Sequence, residues 1–407
     1  MRISRRILLV TLCTGLLGLL AATLLFPGIT PTARADHKSG HSPGGGGGSD
    51  DGGTSEPPPL TYEIRWIENF HLTWDSVNHD GDLLGRFDSD SDPFPYAIVY
   101  GGDVYPVELF FLDLEASSRF TFGLSDRAGD GSIYLCGTCD TADGIRGWLM
   151  RLTPDLDGAL ARTEFSIVQP LEGDDVTSLR DVNSSGEAVG YSRLTSTGSQ
   201  AVTAIYHTTA GGSLPFEFSV STSVHFITNS GYWVGPVYNA DGSFTVKGGT
   251  PGGNLEALAD DVFLEDVNNL GHFVGRKTVC ETTRKGANTI TTCTSRNYFF
   301  DGTLTLLNEG GPAVLALNDY DDLLSVERIE ERRNDPGYDS GLLYFADLDR
   351  EVPIDDMIDL NNTDADLALW FGTDFKTFTD VTNSGVIVGN ITSPDFTGTF
   401  ILIPVQP

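Results

Sequence analysis

From residue 61 to the C-terminus, apolar letters gather in short runs, often alternating with polar ones and broken by Gly, Asn, Asp and Ser. No stretch keeps the three-to-four spacing of an amphipathic helix. Typical runs are "PYAIVY" (Pro95 to Tyr100), "GWLMRL" from Gly147, "TAIYHT" from Thr203, "NYFFDG" from Asn297 and "TFILIP" from Thr399. β-branched and aromatic side chains fill such runs because they fit a pleated, half-buried surface. The pattern predicts strands throughout and no helix.

The runs are organised by a repeat. "DVNSSGEAVG" at Asp181 returns as "DVNNLGHFVG" at Asp266 and "DVTNSGVIVG" at Asp380. The unit is an apolar residue, Asn or Thr, two turn residues, Gly, a variable residue, two apolar residues and Gly. Copies start at Val77, Val182, Ile227, Val267 and Val381. A decayed copy starts at Leu317, with Asp321 in the place of the glycine. Another, "LSDRAGDGSIYLCG" at Leu124, carries inserted letters. Each copy reads as a hairpin: Asn and its neighbours make a turn, and the first Gly takes the positive φ that closes it. The terminal Gly, as at Gly190, Gly235 and Gly275, marks a place where a side chain would strike a neighbouring strand. Units of roughly 40–50 residues with about four strands are propeller blades. Seven copies therefore predict an all-β, seven-bladed β-propeller. "TYEIRWI" (Thr61 to Ile67) precedes the first turn, belongs to no complete unit, and supplies the strand that the last blade lacks. Its pairing there would close the ring and remove the open edges.

The "N-S-G-x-x-V-G" turn, the "YFF" and "AIY" strands, and the phrase "MIDLNNTDADLALW" before the last turn resemble the HAF-repeat extracellular proteins of bacteria. The resemblance covers most of 61–407. It implies a secreted, propeller-like domain and brings no catalytic motif.

The N-terminal segment is of another kind. Residues 1–35 read as a signal peptide: basic "MRISRR", an apolar run of 20 residues, and "TARA", which places cleavage after Ala35. That run is also long enough to span a bilayer, so an uncleaved anchor is the alternative, and only then would the protein touch a membrane. Residues 36–60 are a Gly- and Pro-rich disordered linker, leaving 61–407 as the folded body. Both readings place the body outside the cytoplasm, extracellular or periplasmic.

The cysteines fit that address. Cys280 and Cys293 bracket a polar stretch and read as a disulfide across a long hairpin, worth about 3 kcal/mol in the chain-entropy model. Cys136-Gly-Thr-Cys139 has no second C-x-x-C and no nearby histidine, and reads as a tight local disulfide. Charge excludes one class of partner. Four of the 25 basic residues lie in the leader, leaving 21 against 57 acids, a net of −36. Such a surface repels nucleic acid and anionic lipid.

Candidate chemistry is sparse. No nucleophile elbow, zinc-protease helix, P-loop or dinucleotide fingerprint occurs. Asp88, Asp90 and Asp92 alternate as in a calcium loop, but Pro93 stands where that loop needs Gly and Val99 where it needs Glu. They remain the candidate metal residues, with calcium the candidate ion and no other cofactor implied. Five histidines, His71, His79, His207, His225 and His272, are scattered and read as surface residues. The tryptophans Trp66, Trp74, Trp148, Trp233 and Trp370 read as core, with sugar platforms the alternative. The expectation is a secreted, monomeric, non-enzymatic binding or structural module for an extracellular ligand such as a glycan or cell-surface protein. Its rival is a carbohydrate-active or other hydrolase with carboxylates in the propeller channel. The two differ in one feature: an enzyme gathers inward acids or histidines with shifted protonation in one pocket.

Overall fold

The computed structural model describes residues 61–405 apart from 69, 88–95, 198–201, 210–211, 223–224, 286–287, 330–337, 359–374 and 393–396. The leader, the linker, the phrase before the last turn from residue 359 onward and the candidate calcium residues Asp88, Asp90 and Asp92 lie outside the described residues.

The chain is all-β, built from a succession of antiparallel sheets, most of them four-stranded. Antiparallel strands follow in chain order, relieved among the described residues only by short 3-10 turns such as Val107–Phe111 and Ile354–Met357. Four-stranded sheets begin at Phe70–Val77, Ala116–Leu124, Phe263–Val267, Ala313–Leu317 and Phe375–Val381. An eight-stranded sheet runs from Val176–Val182 to Glu256–Asp260, its two halves joined through the pair Val220 and Val237. The strand Thr61–Glu68 pairs antiparallel with Thr397–Val405 from Thr61↔Val405 to Glu68↔Gly398, as the pattern at Thr61 predicts.

Apolar clusters fill the spaces between successive sheets. Strand side chains alternate between two faces, so each sheet is apolar on both where it is covered on both. Trp148 packs with Phe111 and Leu84, and Trp233 with Val220 and Ala204; both tryptophans are fully buried, as expected of core. Phe70, Leu83 and Val99 of the first sheet pack against Val386, Val388 and Ile401 of the last.

The cysteines divide. Cys280 and Cys293 face each other across the hairpin Phe273–Lys285/Asn288–Phe300 and are disulfide-bonded. Cys136 and Cys139 are two separate buried thiols, which corrects the expected local bridge. They lie within the strand Ile133–Thr141 rather than in a turn. Three residues of extended chain span about 10 Å and point to opposite faces, beyond the reach of a disulfide. Cys136 accordingly packs with Leu179 on one side of the sheet and Cys139 with Trp148 on the other. Burial pushes the Cys139 thiol up to about 12.

Candidate functional site

The repeated corner does more than turn the chain. In Asn183–Gly186 the Asn183 side-chain oxygen accepts the N–H groups of Ser185 and Glu187, at 3.1 and 3.0 Å. Gly186 then takes φ +75. Asp321, standing where the other copies have glycine, adopts φ +62, a conformation that Asp tolerates better than most residues. Its carboxylate also takes His272 Nδ1 at 2.9 Å and Asn268 Nδ2 at 3.0 Å from the preceding repeat. The terminal glycine meets the expected obstacle. A Cβ at Gly190 or Gly389 would strike the backbone oxygen of Ser178 or Thr377, while at Gly235 the obstacle is the Trp233 ring.

The corners are joined to one another. Buried Asn78, Asn183, Asn268 and Asn318 each donate their amide to a carbonyl of the next corner, Ser125, Thr228, Asn318 and Thr382, at 2.8, 3.0, 2.9 and 3.1 Å. Threonine cannot make this bond, which separates the Asn copies from the Thr copies. The next residue follows a second rule: its N–H donates to the side-chain oxygen of its counterpart one repeat on. His79 donates to Asp126, Ser184 to Asn229, Asn229 to Asn269, Asn269 to Asp319, and Asp319 to Asn383, at 2.7–3.0 Å.

These residues converge on a polar hub. Asp126 accepts Asn229 Nδ2 at 2.7 Å and Asn269 Nδ2 at 2.9 Å, bonds that join positions 103 and 143 residues apart. His79 Nδ1 lies 3.0 Å from the same carboxylate, and Asn383 Nδ2 donates to Asp319 at 2.8 Å. The inserted letters of the second repeat explain the hub's centre. There the tight turn falls later, Gly131 N–H to Ala128 O at 2.8 Å, leaving Asp126 at the hub. Arg127 is turned outward, over the Tyr100 ring at 4.3 Å and onto Asp82 at 2.8 Å.

Beneath the hub is a cavity of about 540 Å³ lined by the first strands of the sheets. Leu72, Leu124, Phe226, Leu264, Leu315 and Phe378 make its apolar wall, and Asp181, Asp266 and Asp380 face it from equivalent repeat positions. A bulge just before each Asp, for example between Leu179 and Asp181, turns it toward the cavity. Asp181 accepts the N–H of Val182 and that of Ile227 in the next repeat, both at 2.7 Å. Asp266 does the same with Val267 and Leu317, at 2.7 and 2.9 Å. Asp380 accepts Val381 at 2.7 Å.

Protonation here departs from solution behaviour. Burial works against the His79 imidazolium, but the hydrogen bond to Asp126 and the fields of Asp126, Asp319 and Asp380 together raise it to about 9. Burial alone would raise Asp126; His79 and the Asn269 amide hold it well below the usual carboxylate range. Asp266 is pushed up to about 6, because protein surrounds it on every side but the cavity and its two N–H donors offset this only in part.

The sequence thus undervalued the histidines. His79 is the cation of the hub and His272 an inter-repeat link. His225 is buried, its Nε2 against Ser221 O at 2.7 Å and its Nδ1 against the Trp233 indole N–H at 3.3 Å, and burial lowers it to about 4. His207 is also buried. Among the described residues no group of three or more His, Cys, Asp or Glu is placed to hold a metal ion.

No family model and no curated protein matches this sequence. Among solved structures, the β-propeller domain of the Trilobed protease from Pyrococcus furiosus is similar at 9% identity, over 71% of this chain and 86% of its own, with a TM-score of 0.43. Trypanosoma rangeli sialidase is similar at 9% identity, covering 84% and 58%, with a TM-score of 0.33. Pyrococcus horikoshii acylaminoacyl peptidase is similar at 12% identity, covering 81% and 59%, also at 0.33. No functional residue is carried over from likenesses of this degree.

Proposed function

We propose that residues 61–407 form a single seven-bladed ring, sealed by Thr61–Glu68 in the last blade, that acts outside the cytoplasm as a non-enzymatic binding module with its ligand in the central cavity. The ring is supported by the pairing of the first strand with the last and by the apolar contacts of Phe70 and Leu83 with Val388. Export is supported by the leader's pattern and by the Cys280–Cys293 disulfide; among the described residues no helix is long and apolar enough to cross a membrane. The resemblance to HAF-repeat proteins points the same way.

The observation that carries the binding reading is the state of the acids. Asp181 and Asp266 each use both oxygens on main-chain N–H groups of two repeats, and Asp126 is held by His79, Asn229 and Asn269. Carboxylates so fixed are poor nucleophiles, with no freedom to swing toward a substrate, but they make a rigid, preorganised wall. The rival hydrolase reading is favoured by one feature, the gathering of His79, Asp126 and Asp266 with displaced protonation in one pocket.

The test is a binding screen of the exported chain against glycans, polysaccharides and peptides, with and without calcium, followed by product analysis of every ligand found. Binding without turnover is expected. Hydrolysis that disappears in Asp266→Asn would replace this reading with the rival.

A further inference from the structure

We propose that the central cavity selects a compact organic ammonium ion, holding its charge beside Asp266 and its carbon against Phe226, Leu264 and Leu315; this rests on the reading of the cavity as the ligand site. Charge is the first argument. The described lining carries the carboxylates of Asp126, Asp181, Glu265, Asp266 and Asp380 against one histidine, with no lysine or arginine. His79 is engaged with Asp126 in the hub, and Glu265 with Arg276 at 2.6 Å. A low-dielectric hollow of that sign concentrates cations and excludes anions.

Size and chemistry narrow the cation. One water-sized ion occupies roughly 30 Å³, a small fraction of the space available. The acids stand on walls contributed by different repeats and do not converge, so no inner-sphere metal site is formed among the described residues. Asp181 and Asp266 are also each pinned by two main-chain N–H donors, and cannot swing in to coordinate a bare ion. Between the acids Leu264, Leu315 and Phe378 give the wall apolar stretches, and half-buried Phe226 offers a ring of the kind that stabilises alkylammonium groups. Exposed Thr377 lines the part of the cavity away from the corners, five residues along the chain from Thr382.

The experiment titrates the exported chain with choline, with its uncharged carbon isostere 3,3-dimethylbutan-1-ol, and with propionate, by calorimetry and saturation-transfer NMR. Choline should bind, with the neutral isostere at least about tenfold weaker and propionate not detected. Asp266→Asn should narrow the difference between choline and the isostere, and Leu315→Trp, which fills the cavity, should abolish choline binding. The wild-type comparison needs no variant, so a failure of Asp266→Asn to fold leaves the test intact. Equal binding of the isostere, preferred binding of propionate, or no choline binding overturns the ligand class. The cavity reading then survives only if a ligand from the glycan and peptide screen is displaced by Leu315→Trp; it falls if that variant alters no binding at all.

Discussion

The carboxylate of Asp181 accepts the main-chain N–H of Ile227, 46 residues further along the chain, at 2.7 Å. Asp266 makes the same bond to Leu317, 51 residues on. The repeated aspartate is therefore a stitch between neighbouring sheets as well as a wall of the cavity. Removing it strands two N–H groups, each costing about 1–3 kcal/mol where no water can replace it. Asp181→Ala should lower stability by about 2–4 kcal/mol, and Asp181→Asn by less, since the amide oxygen still accepts one bond. Urea unfolding should show a lower midpoint with an unchanged slope.

Gly190 and Gly129 make a matched pair for a second prediction. A Cβ at Gly190 would strike the Ser178 carbonyl oxygen and approach Leu179 Cα to 2.7 Å, whereas at Gly129 nothing lies within 4 Å. Backbone cannot give way as a side-chain tip can. Gly190→Ala should cost about 3 kcal/mol or more, and Gly129→Ala should stay within about 0.5 kcal/mol of the native protein. Thermal unfolding of the two variants side by side checks this.

The His79–Asp126 pair predicts a pH dependence. The folded pKa of His79, about 9, lies above its ordinary value of 6.5, so the folded chain holds that proton more tightly than the unfolded chain. The stabilisation is complete below pH 6.5 and is lost as pH rises through 9. Its size is about 3 kcal/mol. Denaturant midpoints measured between pH 6.5 and 9.5 should fall, and His79→Gln should flatten that fall while starting from a lower value at pH 6.5.

Beyond the sheet, the arm carrying Cys280 and Cys293 makes β-pairs, among the described residues, only with itself. Phe263–Val267 reaches as far as Arg276 and Leu304–Glu309 as far as Arg296, leaving the ribbon between them without a third strand. A two-stranded ribbon is marginal in water, so the disulfide acts locally. The double variant Cys280→Ala, Cys293→Ala should raise amide exchange across Thr278–Thr294 by at least about tenfold, with the melting temperature of the body moved by less than about 2 °C.

Local chemistry made the corners readable. An Asn or Thr followed by Gly specifies a turn whatever surrounds it, and Asp321 could be matched to the glycine position by counting alone. The hub was not readable in the same way. Asp126 meets Asn269 across 143 residues, and only the arrangement of the sheets brings those tips together. The inserted letters around Asp126 read only as an interruption of the repeat, yet they mark the hub's centre. Cys136 and Cys139 were misread because a motif's spacing says nothing about strand parity. Odd spacing inside an extended run sends two side chains to opposite faces.

The pairing of Thr61–Glu68 with the last strand gives the most direct test of the ring. Tyr62, Ile64 and Ile67 of this strand are buried, Tyr62 and Ile64 against the last two sheets and Ile67 against Phe70 and Val388. A chain lacking residues 1–68 would leave Thr397–Val405 as an open, apolar edge with unpaired N–H and C=O groups. Burial of these three side chains contributes roughly 2 kcal/mol each, so the loss is large against a marginal total. The truncated protein should melt well below the native one and should dimerise or aggregate on size-exclusion chromatography. Adding back a peptide of residues 61–68 should restore the monomer in part. A truncated chain that stays monomeric with an unchanged melting temperature would mean that the first strand seals nothing, and the seven-bladed ring would have to be given up.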